Sequence, residues 1–167
     1  SPPGRPAAAR PPRRYDRLPV ALPPGLMAES PEVAAFLVRV PGLVLVVDGY
    51  NASLRRWPDR PIAEQRQRLV DALAGLSART GGDVHVVFDG SGSEGRSLSL
   101  PRRGVRVTFT PADVEADETI LRLVAHAPAG RPVAVATDDR RVRREAAARG
   151  ANALTQDQLF AVLGLET

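Results

Sequence analysis

The sequence predicts an α/β protein, a three-layer sandwich around a mainly parallel sheet. Two features predict it. Short unbroken apolar runs recur along the chain, each of strand length. Segments with apolar residues three and four apart alternate with them. Short apolar strands that alternate with helices in this way mean a parallel sheet covered on both faces.

The elements follow in order. Residues 1–29 are rich in Pro, Ala and Arg, and their first half has almost nothing to bury. They read as a disordered or extended linker, along which Leu18, Val20, Leu22 and Leu26 could pack on a surface. Such a start suggests a piece of a longer protein. Ser30-Pro31-Glu32 opens a short leading helix over 30–42, with Ser30 as N-cap and Pro31 in the first turn. Leu43–Val47 is the first strand. Ile62–Ala78 is helical, with Leu69, Val70, Leu73 and Leu76 on one side. Val84–Phe88 and Val105–Phe109 are the second and third strands. Asp117–His126 is a helix, Val133–Ala136 the fourth strand, and Arg140–Arg149 a helix closed by Gly150. Ala151–Leu154 suggests a short fifth strand, and Thr155 caps a last helix. The globular domain is therefore expected over 30–167.

Composition narrows the chemistry. The chain has 167 residues, about one domain, and 43% of them are hydrophobic, enough for one core. It has no Cys, so disulfides, thiolate zinc sites and cysteine nucleophiles are excluded. His85 and His126 are the only histidines. All 23 basic residues are Arg, which excludes Walker phosphate loops, Schiff bases and Ser–Lys hydrolysis. Five Arg and two acids fall within residues 1–29, leaving 18 Arg and 17 acids for the rest. The basic balance thus belongs largely to the extension. The longest aliphatic run is five residues, far short of the ~20 that span a membrane. A soluble cytoplasmic protein with no membrane partner is the expectation.

The acids carry the functional signal. Ligands of open parallel sheets bind outside the carboxyl ends of the strands. Asp48 follows the first strand, Asp89 the second, and Asp138 and Asp139 the fourth. Singly, each fits ordinary turn or capping chemistry; three strands ending this way on one edge suggest a site. Asp117 precedes Ile120, Leu121 and Val124 by three, four and seven positions, so it lies on the inner side of its helix start. Clustered carboxylates raise one another's pKa unless a cation sits among them. Without Cys or a suitable His, that cation is a hard one held by oxygen, Mg²⁺ or Mn²⁺. Haloacid-dehalogenase-like phosphatases and phosphoreceiver domains also use acid pockets, but both need a lysine.

The segments VVDGYNA (46–52), VVFDG (86–90), VRVTFT…ADETI (105–120) and VAVATDDRRVRREAAARGA (133–151) resemble the NYN domain, in its YacP-like branch of the PIN-like nucleases. The resemblance covers roughly residues 43–165. It implies a PIN-like fold and endoribonuclease activity dependent on Mg²⁺ or Mn²⁺. The family's acids fall on Asp48, Asp89, Asp117 and Asp139, and its Asn on Asn51. This chain carries Asp138 where the family often has Ser or Gly, so Asp138 and Asp139 both stand as candidate metal ligands beside Asp48 and Asp117. The implied partners are single-stranded RNA and, from the branch's association with RNA cleavage there, the ribosome. The implied catalytic set is Asp48, Asn51, Asp89, Asp117 and Asp139. A non-catalytic RNA-binding module of the same fold is the alternative, and a phosphatase or flap-type DNA nuclease a third reading.

An acid cluster repels phosphate, so a basic rim is expected. Arg55, Arg56 and Trp57 follow the first acid loop, where the indole could stack on a base or pack on the domain. Arg96, Arg102 and Arg103 lie in the long segment 90–104, expected at the active edge. Arg140 and Arg141 follow Asp139 and are suited to bidentate phosphate binding.

Overall fold

The computed structural model describes residues 17–90 and 102–165. Eleven elements follow in the order α1 (Pro31–Leu37), β1 (Val44–Asp48), α2 (Gly49–Arg56), α3 (Ile62–Thr80), β2 (Asp83–Phe88), β3 (Val105–Phe109), α4 (Ala116–His126), β4 (Val133–Ala136), α5 (Arg140–Ala148), β5 (Asn152–Leu154) and α6 (Gln156–Leu163). The five strands form one sheet in the order β3-β2-β1-β4-β5, and every pair is parallel.

Both faces of the central strands β1, β2 and β4 are buried, which is why they read as largely apolar runs, whereas the edge strand β3 alternates with the exposed Arg106 and is only partly buried. Leu45, Val47, Val84, Val86 and Ala136 point into a core shared with Leu37 of α1, Leu69, Val70 and Leu73 of α3, and Leu159 and Phe160 of α6. Val44, Val46, Val87, Val133 and Val135 point the other way, against Ile120, Leu121 and Val124 of α4 and Val142 and Ala146 of α5. Each fully buried aliphatic side chain contributes ~1.5–3 kcal/mol. Among the described residues no helix is long and apolar enough to cross a membrane.

One expectation is corrected and two are refined. The Gly49-Tyr50-Asn51 stretch, read as a loop, is the first turn of helix α2. Its Gly residue allows close approach: a Cβ on Gly49 would lie 2.4 Å from Phe88 Cδ1. Second, residues 17–29 run against the globule, where Val20 and Leu22 pack as expected and Leu18 stays exposed. The Arg17 guanidinium donates to the carbonyls of Val124, Ala127, Pro128 and Arg131, closing the carboxyl end of α4. The Asn152 side chain pairs with both the N–H and the carbonyl of Val20. The first 16 residues of the expected linker fall outside the described residues. Third, Ser30 occupies the N-cap position of α1 but makes no side-chain capping bond. The Thr155 cap of α6 is complete, a capping box with Gln158.

Candidate active site

The strand order turns direction between β1 and β4, since chain order runs one way through β1, β2 and β3 and the other through β4 and β5. Such a switch point leaves a crevice at the carboxyl ends of the two strands. Asp48 ends β1 on one side of it, and Thr137, Asp138 and Asp139 follow β4 on the other.

Asp48 is the centre of the group. Its carboxyl is pushed up from 3.8 to about 6, first by burial and then by the charges of Asp139, Asp117 and Asp89; a hydrogen bond from Thr137 opposes the rise. The Thr137 hydroxyl donates to Asp48 Oδ2 at 2.9 Å and accepts from the backbone N–H of Asp139 at 3.1 Å. Thr137 is fully buried. It therefore ties the first acid to the turn that carries the last.

The adjacent aspartates differ in use. Asp139 is the N-cap of α5, and its Oδ1 accepts from the N–H groups of Arg141 and Val142. Its Oδ2 has no partner among the described residues. Asp138 spends both oxygens on the protein. Oδ1 accepts from the Gln156 N–H at 2.9 Å, and Oδ2 is paired with Arg55 at 2.5 Å. Only Asp139 of the two bears on the charge of Asp48.

Asn51, one turn into α2, is held by its oxygen. Asn51 Oδ1 accepts from the Asp138 N–H at 3.0 Å and from Gln156 Nε2 at 2.9 Å. Two donors on the oxygen fix the amide's orientation, and its nitrogen keeps no partner among the described residues. Gln156 is fully buried, and the same Nε2 lies within 3.4 Å of the carbonyls of Asp48 and Ala136. Sequence reasoning missed both Gln156 and Thr137 because neither bears charge. The available signals were a Thr between an apolar strand and an acid pair, and a Gln at a helix start directly after the edge strand.

Asp117 lies in the first turn of α4, as its periodicity predicts. Its Oδ1 accepts from the Glu118 N–H, and its Oδ2 is ion-paired with Arg141. Asp89 directly follows β2, and the next residue anchors the turn: the Gly90 N–H donates to the Thr110 hydroxyl at 2.9 Å. A Cβ on Gly90 would lie 1.8 Å from the Thr110 carbonyl oxygen, so the chain can pass there only as Gly.

The donors gathered around Asp48 are all oxygens, and its carboxyl is short of compensating charge, which fits a hard divalent cation. Among the described residues no three acids converge closely enough to form a ready-made metal cage, and one of them, Asp117, is engaged by Arg141.

The basic rim differs from expectation in several places. Trp57 is 9% exposed and belongs to the core, so the packing alternative holds and its ring is not free to stack on a base. The Arg56 guanidinium lies 5.7 Å from that ring's centroid. Arg55 bridges Asp138 and Asp157, so its charge is balanced within the protein. Arg102 and Arg103 immediately precede β3 and so stand at the amino ends of the strands, with Arg102 paired to Asp71 of α3. A parallel connection leaves β2 at one edge and re-enters at the other, which removes this pair from the acids. Arg96 lies outside the described residues. Arg140 and Arg141, at the start of α5, remain beside the acids and are exposed.

Residues 45–166 match the YacP-like NYN domain. Over 86 residues the chain is 34% identical to the protein YacP of Bacillus subtilis, a stretch that covers 48% of this chain and 50% of that protein. The chain thus spans about half the length of the curated relative it matches. Two crystal structures of Rae1 (YacP) from Bacillus subtilis are similar to it with a TM-score of 0.60 at 28% identity. Both likenesses cover 72% of this chain, and 74% and 73% of the respective crystal chains.

Proposed function

The chain belongs to the YacP-like NYN domain family, and from that membership we propose that it is an endoribonuclease that hydrolyses single-stranded RNA with Mg²⁺ or Mn²⁺. The family is one of PIN-like nucleases, which supports an RNA-directed nuclease function. The observation that carries the proposal is Asp48: a carboxyl raised to about 6, first by burial and then by the charges of three neighbouring aspartates, at the switch point of a parallel sheet.

Asp48, Asp117 and Asp139 would hold the ion directly or through water, and Asp89 would orient its waters. When bound, the ion would lower the pKa of a water and neutralise charge developing on the phosphate. The remaining work falls to the chain's own groups. Asn51 presents its amide nitrogen to a non-bridging phosphate oxygen, since its oxygen is already held by Asp138 and Gln156. Arg140 and Arg141, beside the amino end of α5, draw the phosphate to an edge that the acids alone would repel. Attack of water on phosphorus in line with the departing 3′-oxygen leaves a 5′-phosphate and a 3′-hydroxyl. The groove between α4 and α5, about 500 Å³ and lined by Arg122, Arg141 and Arg149 as well as Glu118 and Glu145, offers the strand a path away from the acids. The ribosome is the proposed setting in which substrate is presented, and the cytoplasm the proposed location.

The pairing of Arg141 with Asp117 favours a second reading, in which the same edge grips RNA without cutting it. Cleavage of an end-labelled single-stranded RNA separates the two, with Mn²⁺, Mg²⁺ or EDTA and with Asp48→Asn purified alongside. Metal-dependent cutting by the unmodified protein alone supports the nuclease. RNA binding without cutting under either metal moves the conclusion to the binding module, and equal cutting by both proteins removes Asp48 from the site.

A further inference from the structure

We propose that a cavity on the α4 side of the sheet, at the amino ends of the strands, is a second and non-catalytic site for a nucleoside phosphate. The cavity measures about 310 Å³, within the ~300–1,000 Å³ typical of small-molecule sites. It arises from how the helices cover this face. α4 packs on β1 and β2, and α5 on β4 and β5, so β3 is left at the open side of α4. Its Arg106 is in register with His85 of β2.

The lining divides into two chemistries. Val44 and Val46 of β1, Val133 of β4 and Leu123 of α4 provide an apolar surface. Arg106, Arg131, His85 and His126 provide cationic and hydrogen-bonding groups, and no acid lines the cavity. Arg131 is already occupied by Asp83 and the Gly42 carbonyl, so it stiffens the wall. Arg106 is exposed and has no acid partner among the described residues. The His126 Nδ1 lies 2.9 Å from the Arg122 carbonyl, which can only accept, so Nδ1 carries the hydrogen and Nε2 stays available. His85 is anchored by Thr108 at 2.6 Å, and burial and Arg106 hold its pKa down, so it serves as a neutral hydrogen-bonding edge.

An unpaired guanidinium above an apolar surface fits an anion attached to a flat apolar body. A bare anion would leave the valines unused, and a hydrocarbon would leave Arg106 and His126 unused. The choice of a nucleoside as the flat body rests on the RNA reading above; the anion-plus-apolar chemistry does not. Val44 precedes Asp48 by four residues of strand, roughly 13 Å at ~3.3 Å per residue, so this site is distinct from the acid edge. Its occupant is either a free mononucleotide or one nucleotide of an RNA strand.

The test is methyl NMR of the full chain in EDTA, titrated with adenosine 5′-monophosphate, adenosine and inorganic phosphate. The expected result is shifts at the methyls of Val44, Val46, Leu123 and Val133, with the monophosphate binding more tightly than either part. Arg106→Glu should weaken it at least tenfold and Arg106→Gln severalfold, both variants melting like the unmodified protein, while Asp48→Asn should bind it unchanged. Displacement by a single-stranded oligoribonucleotide would identify RNA as the source, and persistence against it a free nucleotide. Shifts confined to the acid edge, no shifts at all, or binding indifferent to both Arg106 variants would overturn the site. Absence of RNA cleavage would leave a positive result standing, whereas cleavage without monophosphate binding would remove this site alone.

Discussion

The buried hydroxyl of Thr137 donates to the Asp48 carboxylate at 2.9 Å, joining the end of β4 to the end of β1 across the switch point of the sheet. That bond lowers the Asp48 pKa against the combined effect of burial and three neighbouring acids. Thr137→Val should therefore raise the Asp48 pKa further and release the Asp139 N–H. The expected loss is ~10–100-fold in activity or metal affinity, typical of residues that orient ligands. The acid limb of the pH–rate profile should also move to higher pH. An unchanged profile would show that Thr137 serves only packing.

Ionised Asp48 is a burden on the metal-free fold. Its carboxyl is raised to about 6 in the folded chain from an ordinary 3.8, so the cost is absent below pH 3.8 and complete above about pH 6. That rise corresponds to ~3 kcal/mol at most. Stability should thus fall as pH increases through this window. Asp48→Asn keeps an acceptor for Thr137 and removes the charge, so it should gain about 1–3 kcal/mol at pH 7.5 and little at pH 4. Denaturant melts in EDTA at both pH values measure this, and equal gains at both would contradict the electrostatic account.

Arg141 competes with any cation for Asp117. Arg141→Gln should lower the Mn²⁺ concentration needed for half-maximal activity several-fold. The same variant should raise KM for RNA, because the guanidinium also faces incoming phosphate. Metal titrations and KM measured on the one variant separate these effects. A rise in the metal requirement would show that Arg141 supports the site rather than competing within it.

Gln156 holds Asn51 through its amide nitrogen, at 2.9 Å. Gln156→Leu leaves the buried carbonyls of Asp48 and Ala136 without that donor and frees the Asn51 amide to turn. The fold should lose ~1–3 kcal/mol. Turnover should drop more than substrate affinity, as expected for misplaced transition-state contacts. A variant that is less stable yet turns over normally would remove Gln156 from the positioning of Asn51.

The central strands and most helices were legible because burial on both faces writes itself as apolar runs such as Leu43–Val47, and because helix ends carry chemical stops such as Thr155. Helix α2 was not legible, since Asp48-Gly49-Tyr50-Asn51 has the composition of a turn and its helical state depends on Gly49 reaching Phe88. Charge made the acids visible, and their positions at strand ends placed them correctly on one edge. Charge also misled, because Arg55 and Arg102 spend theirs on Asp138, Asp157 and Asp71, partners far away in sequence. The difference between Asp138 and Asp139 turns on one backbone detail, the capping of α5, which two identical letters cannot convey.

The order of the strands also sets when the site can come into being during synthesis. β1 is central, yet one of its neighbours, β4, is not made until residue 133 and the acid turn not until residue 139. A growing chain can pair β1, β2 and β3 early, and carry Asp48 and Asp89 on an unfinished edge. Thr137, Asp139 and Gln156 arrive only with β4, α5 and α6. A copy synthesised only as far as β3 therefore lacks Thr137, Asp139 and Gln156 and has no complete candidate site.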